Sequence, residues 1–296
     1  MAATTNTRTL FDPELVTDLF NKVKGHSTLA KLSGQSPMPF VGTKQYTFSF
    51  DSDVDIIGEN GAKSEGGITL TPITITPVKF EYGARVSDEF MYCTEEERIE
   101  ILKAFNEGFA AKLAKGFDKA AFTGVNPRTG NASTVVGTNN FESKVTQRAT
   151  YTAGAEDDGI DDAIALVHGA DGEVTGIAMA PAYGSAMGKI KANGASLYPE
   201  FRFGGVPASL NGMAVDVNST LAGASKAFVG DFANAFKWGY GKDIEIEVIQ
   251  YGDPDNSGAD LKGHNQVYIR GEAYIGWGIL APAYFAKIQV ASQGNS

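Results

Sequence analysis

The chain has 296 residues, 43% of them hydrophobic and 20% charged, with 35 glycines and a formal net charge of −10. That composition belongs to a folded globular protein of one large or two small domains, and its acidity opposes attraction to nucleic acid as a whole molecule. Cys93 is the only cysteine, which excludes an internal disulfide and a thiolate metal cluster.

The opening residues, MAATTNTRTLFDPELV, lack a basic region followed by an apolar run, so no secretory signal is expected. No stretch approaches the length of apolar chain that spans a membrane. Asp12-Pro13 reads as N-cap and first helical position, and Leu15, Val16, Leu19, Phe20 and Val23 follow at helical spacing up to Gly25. The segment His26 to Pro39, rich in Ser, Gly and Pro, reads as an irregular tether. From Lys44 the pattern changes: Tyr46, Phe48 and Phe50 alternate with Thr47 and Ser49, the period of a half-exposed strand. Asp51 to Gly67 is polar and glycine-rich, and Ile68, Leu70, Ile73, Ile75 and Val78 then resume the alternation. The expectation is a long hairpin, Lys44 to Tyr82, with a polar tip. A two-stranded ribbon is marginally stable in water, so this one should lie on something else.

The strongest local signals lie between Thr94 and Gly124. Thr94 and Glu97 have capping-box spacing, and Glu95 to Glu97 place negative charge at the positive end of a helix dipole. Leu102, Phe105, Phe109, Leu113 and Phe117 share one face, and Gly124 suits the left-handed residue after the last turn. The helix should be about 40 Å long. Gly108 and Gly116 each cost about 1 kcal/mol in a helix interior relative to Ala. They read as places where a strand passes closely against the helix.

Beyond Gly124, a loop and hairpin are expected over Val125 to Thr150, then a helix over Ile160 to Val167, with Asp157 or Asp158 near its start. Val174 to Ala180 reads as a buried strand, and Pro181 opens a helix through Lys191 that Asn193-Gly194 stops. Ala195 to Asn211 reads as irregular. Strands follow at Met213 to Val217, Ala227 to Gly230, Ala235 to Trp238 and Ile244 to Ile249. After a polar loop, Tyr251 to Asn265, come strands from Val267 through Trp277, and Ala281 to Ile288 closes an α+β fold of two strand-rich lobes.

Motifs that could carry chemistry are weak. Asp253, Asp255, Ser257 and Gly258 begin like a calcium loop, but Pro254 interrupts it and His264 stands where a bidentate Glu is needed. In Asp51, Asp53 and Asp55, Ile56 replaces the required turn Gly. Gly184 to Lys189 (GSAMGK) is one residue short of a phosphate loop. His26, His168 and His264 are far apart, and no G-x-S-x-G elbow occurs. Nothing positive argues for an enzyme, a cofactor or a metal.

The order of parts resembles the major capsid proteins of tailed bacteriophages, the family whose fold is named after phage HK97. The residues that carry the resemblance are the N-terminal helix, the Lys44–Tyr82 hairpin with Glu59, and Val86-Ser87-Asp88-Glu89-Phe90 leading into the long helix. Phe117-Asp118, Phe122-Thr123-Gly124, Gly230-Asp231-Phe232, Tyr268-Ile269-Arg270 and Ala281-Pro282-Ala283-Tyr284-Phe285 complete it. The resemblance implies an HK97-like capsid fold with an N-arm at 1–40, an extended loop at 41–82, and a peripheral domain at 83–150 and 236–290. Within the peripheral domain the spine helix runs over 95–123; an axial domain occupies 151–235 and a flexible tail 291–296. It further implies hexamers and pentamers of this chain in an icosahedral shell around double-stranded DNA, with no sequence-specific binding and no membrane. Scaffolding, portal and decoration proteins are the family's other partners, and the location is the virion, assembled in the host cytoplasm. Because Met1 is followed almost directly by the N-arm, scaffolding is either a separate protein or a segment already removed.

On that resemblance, Phe11, Leu15, Leu19, Phe20, Glu59, Lys63, Glu65, Gly108 and Gly116 are candidates for contact between subunits. Some family members join a loop Lys to an Asn of a neighbour, which would make Lys63 with Asn256 or Asn265 a cross-link; a solvated lysine is the simpler reading. Two alternatives stay open: an encapsulin-like bacterial compartment shell of the same fold, and a soluble α+β enzyme or binding module.

Overall fold

The computed structural model describes residues 26–291 apart from Ala222, so the expected helix over residues 12–25 and the tail beyond Ala291 lie outside the described residues. The order begins α1 (Thr28–Leu32), β1 (Thr43–Phe50), β2 (Ile68–Ile75), β3 (Val78–Ser87), α2 (Glu95–Thr123), α3 (Phe141–Lys144), β4 (Gln147–Tyr151) and α4 (Glu156–His168). It continues β5 (Gly176–Met179), α5 (Pro181–Met187), the two-residue strands β6 (Lys191–Ala192), β7 (Ala195–Ser196) and β8 (Ser209–Leu210), then β9 (Met213–Val217) and β10 (Ser225–Gly230). Three longer strands finish it: β11 (Phe236–Ile249), β12 (Gln266–Ile279) and β13 (Phe285–Val290).

The long helix α2 forms as its sequence dictates. Thr94 Oγ1 accepts from Glu97 N–H at 3.3 Å and Glu97 Oε2 accepts from Thr94 N–H at 3.1 Å, closing the capping box. Gly124 ends it with φ +70°, where a side chain would be strained. Leu102, Phe109, Leu113 and Phe117 are buried and Phe105 is half-buried. Along its length α2 meets two sheets. Phe117 packs 5.5 Å from the Trp238 ring and 5.6 Å from Trp277, both in the antiparallel sheet β11-β12-β3. One turn later, Phe122 meets Phe228 of the six-stranded sheet β4-β13-β10-β5-β9-β8 at 5.5 Å. Phe141 of α3 sits where the sheets join, its ring 5.1–5.7 Å from those of Phe122, Phe228, Phe232, Phe236 and Phe285. Aromatic pairs in such offset and edge-on arrangements add about 1 kcal/mol each to the burial term.

The glycine that permits the close crossing of α2 lies on the strand. A Cβ at Gly271 of β12 would stand 2.9 Å from the Phe109 ring. Gly108 faces open space, and Gly116 makes ordinary contact with Pro127 and with Phe80 of β3, so among the described residues no strand passes tightly over either. The two are 80° apart around the helix axis on a 3.6-residue turn, about a fifth of a circle, which is enough to separate an exposed position from a buried one.

Several boundaries differ from the sequence expectation. The hairpin's second arm ends at Ile75. After Pro77, which has no N–H to give a ladder, β3 pairs with β12 from Val78↔Ile275 to Ser87↔Gln266 and belongs to the other sheet. The two strands expected at 235–238 and 244–249 are one 14-residue strand, β11, with irregular register at Tyr240–Glu245. Its glycines relieve crowding rather than mark a turn: side chains at Gly239 and Gly241 would run into Ser36 and Pro77. The hairpin expected over 125–150 is reduced to one antiparallel bridge, Val125↔Ala132, and β4 pairs in parallel with β13. The helix from Pro181 stops at Met187, and at the next residue, Gly188, a Cβ would meet the Phe201 backbone at 2.9 Å. Asn193-Gly194 (φ +51° and +85°) is then the type I′ turn of the β6–β7 hairpin. The tether expected at 26–39 contains α1, capped by Ser27.

Candidate assembly surfaces

Two consecutive segments project from the sheets. The first, residues 27–42, is strapped down. Its anchor is Asp118, an aspartate on the buried face of α2 with no exposed surface. The carboxylate accepts from Ser27 Oγ (2.6 Å), Thr28 N (2.8 Å), Leu29 N (3.3 Å) and Asn218 Nδ2 (2.6 Å). Thr28 Oγ1 donates in turn to Asp216 at the end of β9, and Lys31 Nζ reaches the other Asp216 oxygen at 2.7 Å. Burial pushes the Asp118 pKa up to about 7, opposed by the hydrogen bonds from Ser27, Thr28 and Leu29 and reinforced by nearby Asp216. Leu29, Ala30 and Leu32 enter the core around this network. The strand-like continuation then bridges to β11: Ser36 N–H donates to Trp238 O at 2.8 Å, and Trp238 Nε1 donates to Ser33 O at 3.4 Å. The strap therefore ties α2, the six-stranded sheet and the three-stranded sheet together.

The second segment, the β1–β2 hairpin, is held among the described residues only at its base. Ile75 is fully buried in the space that side chains would take at Gly276 and Gly278 of β12, with Met38 beside it. Beyond the base, the register pairs Tyr46 with Pro72, Phe48 with Leu70 and Phe50 with Ile68. Directly paired residues share a face of the ribbon, so these six make one apolar stripe. It is bare: Phe48 is 66% and Phe50 71% exposed. The opposite face, with Thr43, Gln45 and Thr47, is half-buried, so the apolar side of the ribbon is the more exposed one. Pro72 stands in a strand with no third neighbour, where a missing N–H is tolerated. Between the arms, residues 51–66 are exposed throughout and without regular structure, including Glu59, Lys63 and Glu65, and Val54 and Ile56 are 97% and 96% exposed. An apolar stripe of this kind on a soluble protein marks an interaction surface.

The remaining candidates are distributed as follows. Phe11, Leu15, Leu19 and Phe20 lie outside the described residues. Asn256 and Asn265 are exposed turn residues with φ +52°, a conformation asparagine tolerates. Cys93 is half-buried, its thiol directed at Phe90 O. The calcium-like loop is organised by a guanidinium: Arg85 Nη2 lies 2.7 Å from Asp253 Oδ1 and 2.5 Å from Asp255 Oδ1, and it also donates to Ala259 O at 2.8 Å. The bond to Arg85 holds the Asp255 carboxyl well below the usual carboxylate range. Among the described residues no three His, Cys, Asp or Glu side chains are gathered to hold a metal ion, and no helix is long and apolar enough to cross a membrane. The strap network was missed in the sequence. Its one local sign was an aspartate among the apolar positions of a helix, between Phe117 and Ala120.

The family model described as the phage capsid family matches residues 9–290. Among solved structures, one from Mycobacterium phage Ogopogo is 29% identical with a TM-score of 0.75, covering 90% of this chain and 92% of that one. One from Gordonia phage Cozz is 23% identical with a TM-score of 0.75, covering 90% and 87%. The capsid of a native GTA particle is 18% identical with a TM-score of 0.65, covering 90% of each. No curated protein matches.

Proposed function

The chain belongs to the phage capsid family, and from that premise we infer that it is the major subunit of a tailed-phage shell, assembled from copies of itself. The fold is HK97-like, and nothing in the comparisons favours the encapsulin-like alternative. The observation that carries self-assembly is the bare stripe of Tyr46, Phe48, Phe50, Ile68 and Leu70 on a ribbon that the described residues hold only at its base. A two-stranded ribbon exposing its apolar face needs a surface to lie on, and in a shell of identical subunits that surface is the next copy. In this reading residues 43–75 are the extended loop, α2 is the spine, residues 151–235 are the axial lobe, and the sheet β11-β12-β3 is the peripheral lobe. The copies form hexamers and pentamers of an icosahedral shell in the virion, built in the host cytoplasm around double-stranded DNA. The function is structural and runs through interfaces, with portal and scaffolding proteins as partners.

A groove of about 540 Å³ between α2, β3 and residues 125–136 is a fitting receiver for the loop. Its rim carries Lys79, Lys112 and Arg128 against Glu81, whereas the tip carries Asp51, Asp53, Asp55, Glu59 and Glu65 against Lys63. Electron microscopy of the expressed protein tests the reading: rings or shells support it, and a stable monodisperse monomer contradicts it. Denaturing electrophoresis of the particles tests Lys63 separately, since a purely monomer-sized band excludes a covalent link.

A further inference from the structure

A different unpartnered surface lies in the connection between α5 and β8. Its base is fixed. Phe201 is buried, the Tyr198 hydroxyl donates to Asp157 Oδ2 at 3.3 Å, and Leu197 N–H donates to Ile190 O at 3.1 Å. From this base projects Phe203, 99% exposed, the largest exposure of any large apolar side chain described. Its backbone is left-handed, φ +58° and ψ +28°, a conformation that disfavours a bulky side chain. Among the described residues no apolar side chain covers the Phe203 ring. The Arg202 guanidinium lies 5.3 Å from the Phe203 ring centroid, and Lys189 and Lys191 are exposed on the same connection. None of the three cations forms an ion pair among the described residues, and only Glu200 offsets them, so this tip is basic in a chain of net charge −10.

Beside it, joined through the Tyr198–Asp157 contact, runs α4. Asp158, Asp161 and Asp162 are exposed on one face of that helix, and they too are unpaired among the described residues. Leu166 extends the same face by one turn as an exposed apolar residue. The subunit thus carries a basic, aromatic projection next to an acidic face with an apolar seat, and its own geometry leaves both open.

We propose that the tip around Lys191, Arg202 and Phe203 of one copy docks on the Asp158–Asp161–Asp162 face of α4 in a neighbouring copy, with the Phe203 ring as the anchor. The proposal rests on the capsid reading and names one contact within a ring. Two different complementary patches on one subunit make a head-to-tail contact, the kind that closes a ring when the rotation fits. The charges set register and speed encounter, and the desolvated aromatic supplies the binding.

Two full-length variants test it. One reverses the tip, Lys191→Glu with Arg202→Glu; the other reverses the helix face, Asp161→Lys with Asp162→Lys. Each alone should need at least a tenfold higher protein concentration to form rings or shells, at an unchanged melting temperature. The equimolar mixture should recover rings of six, because each reversed tip meets a reversed helix when the two alternate around an even-numbered ring; a ring of five cannot alternate, so rings rather than shells are the readout. A third variant, Phe203→Gly, removes the backbone strain; it should melt no lower than wild type and still lose assembly tenfold. If the reversed variants assemble like wild type, or the mixture stays unassembled while wild type forms rings, the pairing is wrong and the capsid reading stands. If wild type never forms rings, the reading falls and the pairing with it.

Discussion

Residues 27–42 and 43–75 follow one another directly, and neither builds a core of its own, yet the subunit disposes of them in opposite ways. The strap sends Leu29, Ala30, Leu32 and Met38 inward and hands its leading N–H groups and two hydroxyls to buried acceptors on α2 and β9. The hairpin satisfies its backbone within its own ribbon and turns Phe48, Phe50 and Leu70 outward. The contrast shows which segment is completed by its own chain and which waits for another. A buried polar group without a partner is costly inside one subunit, whereas an exposed apolar stripe becomes favourable only when a second surface covers it.

The largest effect expected within the subunit comes from cutting the strap at its anchor. Asp118→Ala leaves the Ser27 hydroxyl, two backbone N–H groups and the Asn218 amide without their acceptor. At about 1–3 kcal/mol for each buried donor left unsatisfied, softened by water entry, a loss of about 3 kcal/mol or more is expected in urea unfolding. Protease access near residue 33 should rise in parallel. An unchanged midpoint would show that the strap is held by its apolar residues alone.

The same carboxyl gives the strap a pH dependence of its own. Asp118 takes up its proton near pH 7 when folded and near its ordinary value of 3.8 when unfolded, so between those values the folded subunit holds one more proton. Stability from this group therefore rises as pH falls from about 7 toward about 4, by up to about 4 kcal/mol, and is flat outside that window. Comparing the pH slopes of wild type and Asp118→Asn isolates the term, because the variant cannot titrate there. Equal slopes over that window would show that Asp118 keeps an ordinary pKa.

On the hairpin side, deleting Asn60 to Gly66 should leave the circular dichroism and melting of the subunit unchanged while weakening assembly. Unfolding of that deletion would place the tip in the core. The smallest effect sharpens the comparison along α2. Gly108→Leu replaces a glycine facing open space and should raise subunit stability by about 0.5–1 kcal/mol on helix propensity. Gly116→Leu must displace Pro127 and Phe80 and should lower it. Normal assembly of both variants would remove either glycine from the contacts between copies.

What could be read from the sequence divides along the same line. The capping box at Thr94 and Glu97, the left-handed Gly124 and the alternation of Tyr46, Phe48 and Phe50 are encoded within a few residues, and those elements form where expected. The strap joins Ser27 and Thr28 to partners about 90 to 190 positions away, and no local period announces such a meeting. The break expected between the strands at 235–238 and 244–249 is absent for a related reason. Gly239 and Gly241 resemble a strand break, but their role is set by Ser36 and Pro77 lying across them. In the candidate surfaces, the hairpin was legible as a ribbon without a core. Which of its faces is bare depends on the register with β2, and the basic tip at Phe203 depends on a backbone reversal that the pattern of residues 195–211 does not show.

The most direct test that another copy completes the hairpin is to make the stripe polar, Phe48→Ser with Leu70→Ser, and to measure the melting and the sedimentation of the same sample. Subunit stability should stay within about 0.5 kcal/mol of wild type, as for exposed positions. Assembly should be lost, because each buried anchor in an interface contributes about 2 kcal/mol. A variant that melts markedly lower, or that sediments as wild-type shells, would contradict the claim that another copy completes this hairpin.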